Sequence, residues 1–347
     1  MATFRKNQNA FLYRAGVRLA GTVVACDAAA GGDLVFLSHA AVLGARGRRA
    51  LPHVGGSRRQ ILATEATLAL LGPFGERLRA QTLVVPFGRP FVLGDLRLEI
   101  FPSGFMPGAA SLLCERDGRR LVYSGPVGQV DRVGPPGDGQ AELRAADALC
   151  IDGRFATPEI VFPERAAAEE SLREIARDRS TGAPLLLIEP PALAPVIAGV
   201  LGAAGVPLRA HRTILDAVAA FRQVDPRSPY PQVQRFAGRL AENEALLWPA
   251  DARPPSQGGQ VQARPTVLVS PRAGSTAARV RWAGAHRLTF PCGADLAQLA
   301  RYVEATGASE VALVGAPDDA LAELLRGRGL SAYRIGPPRQ IDLFQAA

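Results

Sequence analysis

The chain has 347 residues, 48% hydrophobic and 21% charged, which is ordinary for a soluble globular protein and enough to bury one large core or two smaller ones. No apolar run reaches the roughly 20 residues that span a bilayer, and the opening Met1–Asn7 lacks the hydrophobic region of a signal peptide, so no membrane partner and a cytoplasmic location are expected. The formal charge is +8, almost all of it arginine, with Lys6 the only lysine. Such basicity favours a polyanionic partner, although an Ala-, Arg-, Gly- and Pro-rich composition carries arginine on its own account.

The pattern opens with two short strands, Ala10–Tyr13 and Gly21–Cys26, separated by turn chemistry at Gly16 and Gly21. Asp27 and a glycine-containing loop lead to a buried strand, Leu34–Leu37, that ends on Ser38-His39. The following loop carries Arg46, Arg48, Arg49, Arg58 and Arg59 among glycines. Thr64 is placed to cap a helix starting near Ala66. Strands are expected at Thr82–Pro86, Phe91–Leu93 and Leu96–Phe101. A hairpin should follow, from Ser111 to Ser124, turning at Arg116-Asp-Gly-Arg119. Ala148–Ile151 reads as one more buried strand, ending on Asp152.

From Pro163 the texture changes to alternating helix and strand, which implies a parallel α/β layer. The helices are expected at 166–179, 192–204, 213–224 and 232–247, with strands at 184–188 and 266–270. The C-terminal stretch reads as strand 286–290, helix 295–306, strand 310–314, helix 318–328 and strand 330–333. Cys26, Cys114, Cys150 and Cys292 are scattered with no C-x-x-C pair, so reduced, buried thiols are expected rather than a zinc site or a disulfide. His211 and His286 stand beside arginines and read as surface residues.

Several stretches, taken in order, resemble the β-CASP branch of the metallo-β-lactamase superfamily, and within it the bacterial ligase-associated DNA exonuclease-like group. They are DLVFLSHA from Asp33, ILATEATLALL from Ile61, FPSGFMPGAASLL from Phe101, LVYSGPVG from Leu121, ADALCIDGRFATP from Ala146, RLTFPCGADLAQL from Arg287 and VALVGAP from Val311. The resemblance covers most of the chain. It implies an αββα metallo-β-lactamase sandwich, in two parts at residues 1–182 and 273–347, with a β-CASP-like α/β module inserted at 183–272. It also implies that nucleic acid lies in the cleft between the two.

The departures fall on the metal ligands. Of the H-x-H-x-D-H set the chain keeps His39, with Ala41, Leu43 and Gly44 in the other positions. Phe105 and Pro126 stand where the family has a histidine and the bridging aspartate. Gly293 and Val314 stand where it has its later histidines, and Asp295 matches that motif's second aspartate. A lone imidazole does not hold a catalytic divalent ion, which takes three or more protein ligands, so neither metal nor other cofactor is expected.

Other catalytic classes fare no better. Ser103-Gly104 and Ser124-Gly125 are not in a G-x-S-x-G elbow, and no G-x-x-x-x-G-K-[ST] loop occurs. The leading expectation is a catalytically inactive nuclease homologue that binds DNA or RNA, or scaffolds an active nuclease, ligase or helicase, with Arg46, Arg48, Arg49, Arg58 and Arg59 as its nucleic-acid contacts. One alternative is a working metal-dependent hydrolase with a site rebuilt from His53, Asp27 or Asp33. The other is a module that binds only protein.

Overall fold

A computed structural model of the chain describes residues 9–28, 33–43, 59–129, 141–178, 182–224, 231–253 and 264–337. The first sheet is assembled in chain order from β1 (Phe11–Tyr13), β2 (Val17–Leu19), β3 (Val24–Cys26), β4 (Leu34–Phe36), β5 (Gln60–Ala63) and β6 (Thr82–Val84). Its first three strands form an antiparallel meander, and the rest join in parallel. Between β5 and β6 run α1 (Glu65–Leu70) and α2 (Pro73–Arg79). Thr64 caps α1 by accepting from the Thr67 amide at 3.1 Å, and its own hydroxyl donates to the Gly108 carbonyl at 2.7 Å.

The second sheet begins with β7 (Phe91–Leu93), β8 (Leu96–Pro102), β9 (Ala110–Arg116), β10 (Arg119–Gly125) and β11 (Ala148–Asp152). The β9–β10 turn falls at Asp117-Gly118, both with positive φ (50° and 75°), the backbone that a two-residue hairpin of type I′ needs. After α3 (Arg165–Arg177) the chain builds a third sheet, wholly parallel. Its strands are β12 (Leu185–Ile188), β13 (Leu208–Ala210), β14 (Val233–Arg235), β15 (Ala245–Pro249), β16 (Thr266–Ser270) and β17 (His286–Thr289), in spatial order β14-β13-β15-β12-β16-β17. Helices α4 (Ala194–Ala203), α5 (Arg212–Val224) and α6 (Thr276–Arg281) connect these strands. The chain then returns to the second sheet through α7 (Leu296–Thr306), β18 (Glu310–Val314), α8 (Ala320–Gly327) and β19 (Ser331–Ile335), giving the order β19-β18-β11-β10-β9-β8-β7.

The first two sheets pack face to face. Strand alternation sends Phe11, Leu34, Phe36 and Leu62 from one, and Leu98, Ile100, Leu112, Tyr123 and Cys150 from the other, into one shared core. The opposite face of the first sheet is covered by Leu68 of α1 with Phe74 and Leu78 of α2. That of the second is covered by α7 and α8 through Leu299, Tyr302, Val303, Leu321 and Leu325. Each such leucine taken fully out of water contributes about 1.5–3 kcal/mol. The third sheet carries α3, α4 and α5 on one face, and that same cluster takes in Phe105, Phe155 and Phe162 from the loops that leave the second sheet, with Phe290 from the end of β17. A continuous apolar core therefore joins the third sheet to the ends of the second.

The architecture is mixed α/β, as expected. One expected element is wrong: residues 232–247 form no helix but β14 and the start of β15, with a loop between them. Leu246, Leu247 and Trp248 pair in parallel with Leu185, Leu186 and Leu187 of β12 and are buried on both sheet faces. That tertiary gain overrides the helix propensity of the Ala-Glu-Asn-Glu-Ala run. The third sheet also extends past residue 272, because β17 pairs with β16. All four cysteines are free and buried. Among the described residues no helix is long and apolar enough to cross a membrane.

Candidate functional site

The segments that carry the resemblance meet at one end of the two facing sheets. From β4 comes Ser38-His39. From β8 comes the loop 103–109. From β10 come Gly125 and Pro126, from β11 Asp152 to Phe155, and from the lead into α7 the segment Pro291–Ala294. Backbone hydrogen bonds lock them together: Ala110 to Ser38, Gly128 to Ser103, Gly153 to Val314 and Ala294 to Val127, all between 2.7 and 2.8 Å. Two glycines are required by close approach. A side chain at Gly125 (φ 58°) would put its first carbon 2.9 Å from Ser38 Oγ, and one at Gly293 would put it 2.7 Å from the Phe155 ring.

At the centre is a buried polar chain. Asp27, itself held at φ 48°, accepts from the Ser38 amide at 2.8 Å, the Ser38 hydroxyl at 2.5 Å and the Tyr123 hydroxyl at 2.8 Å. Burial pushes its carboxyl above the ordinary range, against the pull of those hydrogen bonds. Ser38 Oγ also lies 2.7 Å from His39 Nδ1. Because the serine proton is given to Asp27, Nδ1–H is the donor in that contact and Nε2 carries the bare lone pair. Nε2 is buried with no hydrogen-bond partner. Burial, and next the nearby Arg154 guanidinium, hold the imidazole well below its usual value, so it is neutral.

Around His39 the remaining positions are not ligands. Phe105 is buried and meets the imidazole edge-on, with ring centroids 5.1 Å apart. Pro126 is buried and offers no side-chain donor. Arg154 places its guanidinium 5.5 Å from the centre of the Phe105 ring. It grips Asp152 through both oxygens, Nε to Oδ1 at 3.0 Å and Nη2 to Oδ2 at 2.6 Å. Burial works against its charge, but Asp152 outweighs it and raises the arginine pKa further. A divalent ion does not fit this donor set: the positions around His39 present a phenyl ring, a proline ring and a fixed cation. Among the described residues no three His, Cys, Asp or Glu side chains stand close enough to share an ion.

Of the other residues singled out in the sequence, Ala41 is half-buried and packs against the core that contains Phe105. Leu43 closes a single 3-10 turn, Ala40–Leu43. Asp295 caps α7 by accepting from the Gln298 amide at 3.0 Å, so its role here is to start a helix. Gly44, Arg46, Arg48, Arg49, His53 and Arg58 lie outside the described residues. Arg59 and Asp33 flank β5 and β4 in sequence, and neither is drawn into the buried chain just described. His286 is exposed, and His211 is half-buried, its ring 4.5 Å from that of Trp248. The residues that sequence reasoning missed are Tyr123, Arg154, Arg165 and Arg272. A basic residue two places after the strand-ending aspartate was the available signal for Arg154.

No family model matches the chain. Over 292 residues, 82% of its length, the chain is 23% identical to a protein from Opitutus terrae named a probable DNA ligase. The chain spans 28% of the length of that relative.

Proposed function

We propose that the chain is a metallo-β-lactamase/β-CASP homologue that binds a nucleic-acid strand without cleaving it, working in DNA end processing or repair. The observation that carries this reading is the Arg154 guanidinium, fixed by Asp152 beside His39 and Phe105 where the resemblance implies metal ions. Two sheets packed face to face with helices on their outer surfaces, and a parallel α/β unit joined to one end of them, support the fold assignment. A distant relative named a probable DNA ligase supports the DNA setting.

Hydrolysis by this family's route needs a metal-generated hydroxide. Here the retained imidazole has lost every neighbouring ligand, and a fixed positive charge repels a second cation. Binding needs none of that. Arginine meets phosphate through a planar fork with no metal, and the chain is rich in arginine. The reading is tested by fluorescence anisotropy with labelled single- and double-stranded DNA and RNA over a range of salt. Binding whose logarithm falls linearly with the logarithm of salt, at about 0.7–0.9 per neutralised phosphate, supports it. Absence of binding at low salt would leave a module that binds only protein.

A further inference from the structure

The third sheet is parallel, and ligands of such sheets sit outside the carboxyl ends of the strands. At that edge β16 ends on Ser270, and Arg272 follows two residues later. The Arg272 guanidinium reaches across to the second sheet, donating to the Arg154 carbonyl at 2.9 Å and lying 5.4 Å from the centre of the Phe155 ring. On the far side Arg165 of α3 lies 4.4 Å from the centre of Phe290 and donates to the Pro291 carbonyl. Gly293 presses on Phe155. The segment Phe290–Gly293 is thus ringed by Arg154, Arg165 and Arg272. Burial pushes the Cys292 thiol up to about 12 even though all three guanidiniums pull it down.

The charge here is unbalanced. Arg154 is matched by Asp152 and Arg165 by Glu169, at 2.6 and 2.7 Å. Arg272 is exposed, and among the described residues no carboxylate meets its guanidinium. Glu189, which follows β12, accepts from the Ser270 hydroxyl at 2.9 Å. Arg272 thus spends one donor on the Arg154 carbonyl and leaves the rest of an exposed guanidinium at these strand ends, beside two arginines already paired with carboxylates.

We infer that Arg272, backed by Arg154 and Arg165, binds a phosphate group of a nucleic-acid strand in the crevice between the second and third sheets. This rests on the reading of the chain as a strand-binding protein, and it names where one phosphate sits. Arg272 supplies the fork, and Arg154 and Arg165 supply the background potential while staying bound to their own carboxylates.

The test uses the full chain and a short labelled DNA strand, in 5′-phosphoryl and 5′-hydroxyl forms, with anisotropy read across salt. Arg272→Ala is expected to weaken binding roughly tenfold, the loss of one charge-assisted contact, and to lower the salt slope by about 0.7. Arg272→Lys keeps the charge without the fork, so it should restore the slope but not the full affinity. Arg97→Ala, at the start of β8 and so at the opposite end of that strand from the loop 103–109, should bind as wild type does. A loss confined to the 5′-phosphoryl strand identifies a terminal phosphate, and an equal loss on both identifies an internal one. If wild type binds and Arg272→Ala binds equally well, the site is wrong while strand binding stands. If wild type does not bind at all, both fall.

Discussion

Phe105 stands edge-on to His39, their ring planes 86° apart and their centres 5.1 Å apart. The two rings are thus perpendicular, and the imidazole keeps a buried nitrogen with no hydrogen-bond partner. The pocket is packed, and refilling it with ligands has a structural cost. Phe105→Ala should destabilise the fold by about 3–5 kcal/mol, as for other large buried aromatics, read from the midpoint of urea unfolding. Phe105→His should give no nuclease activity. Gly293→His should unfold the protein at lower denaturant than wild type, because its first side-chain carbon would collide with Phe155. Metal-dependent strand cleavage by Phe105→His would show that a working site survives.

Arg154 and Asp152 form a two-pronged pair, with the carboxylate almost fully buried. Arg154→Met removes the cation and leaves Asp152 without its counter-charge. The expected loss is of the order of 3 kcal/mol, at the low end for breaking a buried pair because the guanidinium keeps some contact with water. The double variant Arg154→Met, Asp152→Leu should recover part of it. A double variant no more stable than the single would mean that the pair is not what Asp152 depends on.

The neutral state of His39 gives a pH signature. Its folded-state pKa is lowered, so between that value and about 6.5 the unfolded chain binds the extra proton. The stability it confers is complete above about 6.5 and is lost as pH falls toward the folded pKa, by up to about 1.4 kcal/mol per pH unit. Asp27, with its raised pKa, acts in the opposite sense: from about 3.9 up to its folded-state value, stability falls as pH rises. The difference in unfolding free energy between wild type and His39→Phe, measured from pH 7 down to pH 5, isolates the histidine. It should shift in favour of the variant as pH falls; a constant difference would contradict a buried neutral imidazole.

Arg46, Arg48 and Arg49, clustered after His39 in sequence, lie outside the described residues. If Arg46, Arg48 and Arg49 grip the strand backbone, changing all three to alanine should weaken binding similarly for different sequences and flatten the salt slope by about two units. Unchanged anisotropy curves would make these residues a solubility feature.

Strand and helix positions were legible wherever burial and local pattern agree. Leu185–Ile188, Thr266–Ser270 and Glu310–Val314 are apolar runs buried in parallel sheets, and they fold as read. At 232–247 local propensity and tertiary pairing conflict, and pairing wins. At the site, His39 was visible because it ends a strand, and Phe105 and Pro126 because they interrupt recognisable stretches. Arg272 carries no such signal: its significance lies in a contact with Arg154 across 118 residues, which no spacing encodes. Asp27 reads in sequence as a loop residue, and its role as acceptor for Ser38 and Tyr123 depends on the fold that brings β10 beside it.

The central claim is that the chain holds a strand without cutting it. The most direct measurement incubates the full chain with an end-labelled DNA strand and manganese, isolates the retarded complex on a native gel, and sizes the strand under denaturing conditions. The account predicts a retarded complex, weakened by added salt, whose strand is full length. A complex that yields shortened strands, or no retarded complex at low salt, would contradict it.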